Sequence, residues 1–181
     1  MQCGIDGQCD CPDTAAECNY DCRGIYACGL GCTTATCTQA CYDLAAPEGK
    51  AAYDTLVGCI RTECSYSAGG ECANTSSVGC LQCVEGAMFG PCEAAYTTCG
   101  LSGTDSCNDI LECRAATASG TPEYQFCVWD ATTDAQEMFD ARYFCRVTRC
   151  PSCTTTPPGE DCSSCYYDQC ADEIAACSND V

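Results

Sequence analysis

Sulfur and carboxylate are the reactive groups this chain holds in number: 26 cysteines and 26 acidic side chains among 181 residues, with no histidine. The sulfur pattern nearest to a known chemistry is Cys150-x2-Cys153-x8-Cys162-x2-Cys165. Paired cysteine knuckles of that form suit a tetrahedral four-thiolate zinc site, and a Cu(I) thiolate store is a variant of it. Three methionines and no histidine leave few accessory ligands. The corresponding cysteines earlier in the chain, Cys64, Cys72, Cys80 and Cys83, keep only one Cys-x2-Cys. A geometry required by a metal would be kept in both copies, so disulfides are the leading expectation and Zn or Cu(I) binding at Cys150, Cys153, Cys162 and Cys165 is the alternative.

Catalysis is not expected, and no catalytic or cofactor-binding residue is assigned. A redox-active Cys-x2-Cys needs a thiolate stabilised by a cation or a helix start, whereas Cys83 is followed by Val84-Glu85 and Cys162 is preceded by Asp161. Without histidine there is no Ser-His-Asp or Cys-His machinery and no His-ligated zinc. Nothing distinguishes a hydrolytic carboxylate pair from a solvated acidic face. Lys50, the one lysine, sits in the polar start of an expected helix. Acidic turns at Asp6, Asp10 and Asp13 lack the regular EF-hand spacing, which leaves weak cation binding at most.

Composition decides the compartment. Aliphatic residues are scarce and the formal net charge is −19, a balance that ordinarily leaves a chain disordered. An even number of cysteines at this density reverses that expectation, since each bridge adds about 2–4 kcal/mol by restricting the unfolded state. Such density belongs to an oxidising compartment, and an extracellular, cell-surface or periplasmic setting is expected. The first residues show no signal peptide, and Met1 is read as the start of a mature or re-engineered chain. No run approaches the roughly 18 apolar residues of a membrane span. The acidic surface disfavours nucleic acid, which is bound through Lys and Arg. Glycans are conceivable at Asn74, in Asn74-Thr75-Ser76, or at Thr154, Thr155 and Thr156. Ten tyrosines against four phenylalanines suit surfaces that pack on one side and meet a partner on the other, and Tyr166-Tyr167 is the candidate interaction pair.

Spacing indicates the elements that must carry these residues. Cys-x6-Cys occurs at Cys11–Cys18, Cys92–Cys99 and Cys170–Cys177, each time after two further cysteines. Cys41, Cys59 and Cys64 recur with identical spacing as Cys127, Cys145 and Cys150, and Tyr53-Asp54 aligns with Phe139-Asp140. Positions i and i+7 share one helical face, and Tyr53, Leu56, Val57 and Ile60 repeat as in an amphipathic helix from Pro47. Phe139, Tyr143 and Val147 repeat in the same way. Helix starts are expected at Thr104-Asp105, at Thr121-Pro122-Glu123 and at Thr133 with Gln136. The expected fold is mainly α, with small disulfide-rich helical hairpins in tandem repeats and little or no β.

Even cysteine numbers suggest a first repeat over 1–75, a second over 76–157 and a half repeat over 158–181 that could dock on another copy. Within them, antiparallel helices turning near Pro47 suggest bridges Cys41–Cys59 and Cys127–Cys145. Cys32 and Cys37 have no counterparts and form an expected accessory pair.

The order Cys80-x2-Cys83, Gly90-Pro91-Cys92-x6-Cys99, Cys107-x5-Cys113 and the Tyr/Phe-containing stretch before Cys145 resembles cysteine-rich repeats of secreted myxobacterial proteins and lipoproteins. The resemblance spans most of residues 3–177 and implies an extracellular module without transferring a catalytic residue. The expectation is therefore an extracellular structural or interaction protein, self-assembling head to tail into a filament or surface layer. A metal-binding protein and a secreted inhibitor or toxin-like binder are the alternatives.

Overall fold

Side-chain caps start five of the helices. Asp21 accepts from the Gly24 N–H at 2.7 Å, Thr34 from Cys37, Ser77 from Cys80 and Thr132 from Ala135, while Ser106 and Asp109 form a reciprocal capping box. Two expected starts therefore move: Ser106 replaces Thr104-Asp105, and Thr132 replaces Thr133. Gln136, expected in a capping box, instead lies fully buried and donates from Nε2 to the Ala131 carbonyl at 2.9 Å. A buried amide with a partner avoids the desolvation cost of an unsatisfied one.

The computed structural model describes residues 20–67, 69–75, 77–118, 122–154, 159 and 161–180. Among them are ten α-helices and no strand; Tyr20–Ala45 and Asp105–Ala131 make isolated parallel bridges. The mainly α, disulfide-rich fold is as expected. The chain divides after Leu101 into two compact units. The first holds α1 (Cys22–Leu30), α2 (Ala35–Asp43), α3 (Pro47–Glu63), α4 (Val78–Phe89) and α5 (Glu93–Thr98). The second holds α6 (Cys107–Ala116), α7 (Pro122–Trp129), α8 (Thr133–Arg149), a 3-10 turn (Pro151–Thr154), α9 (Cys162–Gln169) and α10 (Ala171–Ser178).

One pairing plan closes both units. The first helix start is tied to the last helix end by Cys22–Cys99 and Cys107–Cys177. The first two helices are tied by Cys28–Cys41 and Cys113–Cys127. The long helix is tied to the start of the last by Cys59–Cys92 and Cys145–Cys170, and its end to the fourth helix by Cys64–Cys83 and Cys150–Cys165. Cys72–Cys80 and Cys153–Cys162 anchor the loop that leads into the fourth helix. The first unit adds Cys32–Cys37, the accessory pair expected from sequence.

This plan overturns the expected boundaries. Four bridges of the first unit cross residue 75 and four of the second cross residue 157. Residues 161–180 are not a spare half repeat; they supply α9 and α10 of the second unit. The Cys-x6-Cys spacings at Cys92–Cys99 and Cys170–Cys177 close their units, whereas the expected boundaries put them near the start of a repeat. The first occurrence of the spacing, at Cys11 and Cys18, lies outside the described residues.

The expected pairs Cys41–Cys59 and Cys127–Cys145 do not form. Cys41 precedes the turn before α3 by a few residues, whereas Cys59 lies about twelve residues into that helix, roughly 18 Å along its axis at the ordinary helical rise. A bridge needs Cα atoms within about 7 Å. Helix α1 packs against both α2 and α3. Cys41 accordingly meets Cys28 on α1 and Cys59 meets Cys92 ahead of α5, each at 5.8 Å between Cα atoms.

Cystine sulfur substitutes for a large aliphatic core. In the first unit Ile25, Leu56, Ile60, Tyr96 and Leu101 are buried among the bridges. In the second, Cys107, Ile110, Val128, Ala131, Ala135 and Cys177 form one cluster, with Leu111, Met138 and Phe139 against it. The expected apolar stripe of α8 is only partly inward, since Tyr143 is 49% exposed. Gly100, at φ +74°, ends α5 as a left-handed cap, with the Leu101 N–H reaching the Tyr96 carbonyl at 3.3 Å. That turn sends the chain out of the first unit.

Candidate functional site

The aligned pairs Tyr53-Asp54 and Phe139-Asp140 sit at matching places in the two units, and each is surrounded by a different set of partners. In the first unit the Tyr26 and Tyr53 ring centroids are 5.2 Å apart and those of Tyr42 and Tyr53 5.7 Å. The Tyr42 hydroxyl donates to Asp54 Oδ2 at 2.7 Å. Lys50 Nζ lies 5.5 Å from the Tyr42 ring centre and donates to the Asp43 carbonyl. Burial, with Tyr53 and Tyr66 nearby, pushes the Tyr26 phenol above its ordinary range. The hydrogen bond to Asp54 does the same for Tyr42. Both phenols stay protonated at neutral pH and serve as packing surfaces and donors.

The second unit places an arginine where the first has glycine and tyrosine surface. The Arg114 guanidinium carbon of α6 stands 3.7 Å from the Tyr124 ring centre on α7 and 4.6 Å from that of Phe139 on α8. Such stacking holds a cation through the ring quadrupoles and contributes about 0.5–2 kcal/mol. Asp140, partly buried beside it, has its carboxyl pushed up to about 7 by burial, with the Arg114 charge acting in the opposite direction. A carboxyl that titrates near neutrality beside a stacked cation is a polar group held ready for a change of charge.

The cysteines of the alternative zinc site are brought together, but as bridges Cys150–Cys165 and Cys153–Cys162, so their sulfurs are bonded to one another and supply no thiolates. Two further groups have ligand-type atoms within 4.8 Å of one another, Cys32 with Cys37 and Cys41, and Cys145 with Cys170 and Glu173. Every cysteine in them is also bridged. All the cysteines of the described residues are paired in this way. A metal held through sulfur would first require reduction of a bridge.

Tyr166 and Tyr167 take different roles. Tyr166 packs on the Cys150, Cys153 and Cys162 cluster, and its hydroxyl accepts from Arg142 Nε at 3.1 Å. Tyr167 is 66% exposed. Asn74 and Thr154 are exposed. Asp6, Asp10, Asp13, Thr155 and Thr156 lie outside the described residues. Sequence reasoning missed Arg114, Tyr124, Tyr26 and Tyr42 because each comes from a helix other than the one carrying the aligned pair. The available signal was the rarity of basic residues, seven in all, which makes a basic residue directly after Cys113 conspicuous.

Among the described residues no helix is long and apolar enough to cross a membrane. Compared with known proteins, the chain matches no family model, no curated protein and no solved structure.

Proposed function

We propose that this protein is an extracellular, non-enzymatic structural or interaction module that presents two disulfide-locked platforms and associates with further copies of itself. The observation that carries the reading is the contrast between one repeated bridge plan and two different surface clusters. Five bridges repeat position for position, so their role is architecture, while Tyr26 and Tyr53 give way to Leu111 and Phe139 at corresponding positions. Recognition belongs on the side chains that vary. The resemblance to secreted myxobacterial repeats agrees with an extracellular setting, and the acidic surface favours basic or cationic partners over nucleic acid.

Self-association no longer needs a spare half repeat; it runs through whole units, with exposed Tyr143 and Tyr167 of the second unit as contact residues. Analytical ultracentrifugation and electron microscopy of the full oxidised chain test this. Concentration-dependent oligomers or filaments are expected, weakened in a Tyr143→Ser, Tyr167→Ser variant. A chain that stays monomeric at every concentration rejects self-assembly. Intact mass before and after reduction, with metal analysis, tests the architectural role: about 2 Da is gained per bridge opened. Free thiols matched by bound metal would overturn it.

A further inference from the structure

Among the described residues, the Cys32–Cys37 bridge is the one departure from the common plan. In the second unit the connection from α6 to α7 contains no cysteine, whereas in the first it is closed by a bridge that lies against another. Cys28–Cys41 is buried; Cys32 and Cys37 are partly exposed, in a stretch of connection and early α2 whose residues 33–36 and 38–40 face solvent. The Cys32 and Cys41 sulfurs, which belong to different bridges, are 3.7 Å apart, and the sulfurs of Cys32, Cys37 and Cys41 all fall within 4.8 Å of one another. An exposed bridge is thus in contact with a buried one.

We propose that Cys28, Cys32, Cys37 and Cys41 form a disulfide-exchange relay that accepts electrons from a small dithiol at the surface and passes the opening inward. The two ends of the outer bridge differ in a way that sets the direction. Cys37 lies in the first turn of α2, capped by Thr34, where the helix end favours a thiolate and makes Cys37 the better leaving group. Cys32 follows α1, and its sulfur is 3.7 Å from the Cys28 carbonyl oxygen, which disfavours negative charge and leaves Cys32 the more basic, more nucleophilic thiolate when ionised.

In the first step a thiolate of the dithiol attacks the Cys32 sulfur. The Cys32–Cys37 bond breaks, and Cys37 departs as a thiolate and takes up a proton. The second thiol of the reagent then attacks its own mixed-disulfide sulfur, leaving as a cyclic disulfide and releasing Cys32; two electrons have passed from dithiol to protein. In the second step the Cys32 thiolate attacks the Cys41 sulfur. A Cys32–Cys41 bond forms, the Cys28–Cys41 bond breaks, and Cys28 leaves as a thiolate and is protonated. No electrons are consumed in this exchange. The anchor of α2 moves from α1 itself to the connection after it, which frees the α1 face that carries Cys28.

The test is a dithiothreitol titration of the full oxidised chain under native conditions, followed by acid quench, alkylation and peptide mapping. Expected is a species with alkylated Cys28 and Cys37 and a new Cys32–Cys41 bridge. Alkylation of Cys32 and Cys37 with Cys28–Cys41 intact would overturn the relay, as would opening of Cys28–Cys41 while Cys32–Cys37 stays closed. Two variants give a second reading without reductant, with circular dichroism confirming the helices. In Cys37→Ser the label is expected at Cys28 and lost from Cys32, while in Cys32→Ser it is expected at Cys37 with Cys28–Cys41 retained. Label on Cys32 alone in the first variant contradicts the proposal.

Discussion

Asp140 shows how a single residue departs from its copy. Its counterpart Asp54 is exposed and accepts from Tyr42, whereas Asp140 is partly buried beside a stacked arginine and titrates at about 7. An aspartate that holds its proton more tightly when folded, about 7 against an ordinary 3.8, stabilises the fold fully below the unfolded value. That contribution is lost as pH rises from about 4 through about 7. Urea unfolding of the oxidised chain should therefore show stability falling across that window, and Asp140→Asn should flatten the slope. A slope unchanged in the variant would remove Asp140 as its source. Arg114 opposes the burial effect, so Arg114→Gln should move the midpoint of the pH dependence upward.

At the scale of elements, two features hold helices at distances that ordinary side chains would not permit. A Cβ on Gly49 would lie 2.5 Å from the Tyr20 carbonyl oxygen and 2.9 Å from the Asp21 Cα, both backbone atoms that cannot swing aside. Gly49→Ala should cost about 1–3 kcal/mol in chemical denaturation by overpacking the start of α3. The second unit accepts Ala135 at the corresponding position, fully buried, and makes its close approach through Gly103 against the Asp130 backbone instead. Bridges differ in weight by the loop they close. Cys22–Cys99 spans a sequence separation of 77 and Cys32–Cys37 one of 5. Chain entropy then assigns about 4.5 kcal/mol to the first and about 2 kcal/mol to the second. Paired Cys→Ala replacement should lower the unfolding free energy in that order, and equal losses would contradict the entropic account.

For the whole molecule, charge is the dominant global term. A net charge of −19 repels itself in the folded state, and few cations are free to offset it: Lys50, Arg114, Arg142 and Arg149 are each engaged with a ring, a hydroxyl, a carbonyl or a carboxylate. Added salt screens such repulsion beyond a Debye length of about 8–10 Å. The melting temperature of the oxidised chain should rise between low and physiological ionic strength; a fall would mean that the Arg149–Glu173 pair and similar contacts outweigh the repulsion.

Much of this architecture is legible in one sequence. Cysteine density implied bridges, Cys-x6-Cys and the run from Pro47 implied helices, and the recurrence of Cys41, Cys59 and Cys64 as Cys127, Cys145 and Cys150 implied a duplication. Those inferences concern face and period, which are local properties of a helix. Pairing and phase are not local. A spacing says that Cys59 and Tyr53 lie on one helix, not that α1 packs against both α2 and α3 and so takes Cys41 away from Cys59. A repeated pattern likewise has no marked beginning, and only the bridges from Cys22 to Cys99 and from Cys107 to Cys177 reveal that Cys-x6-Cys ends a unit. The cluster around Asp140 follows the same logic: its aligned position was visible, but the burial that moves its proton is tertiary, and only the packing of α6 against α8 brings Arg114 beside it.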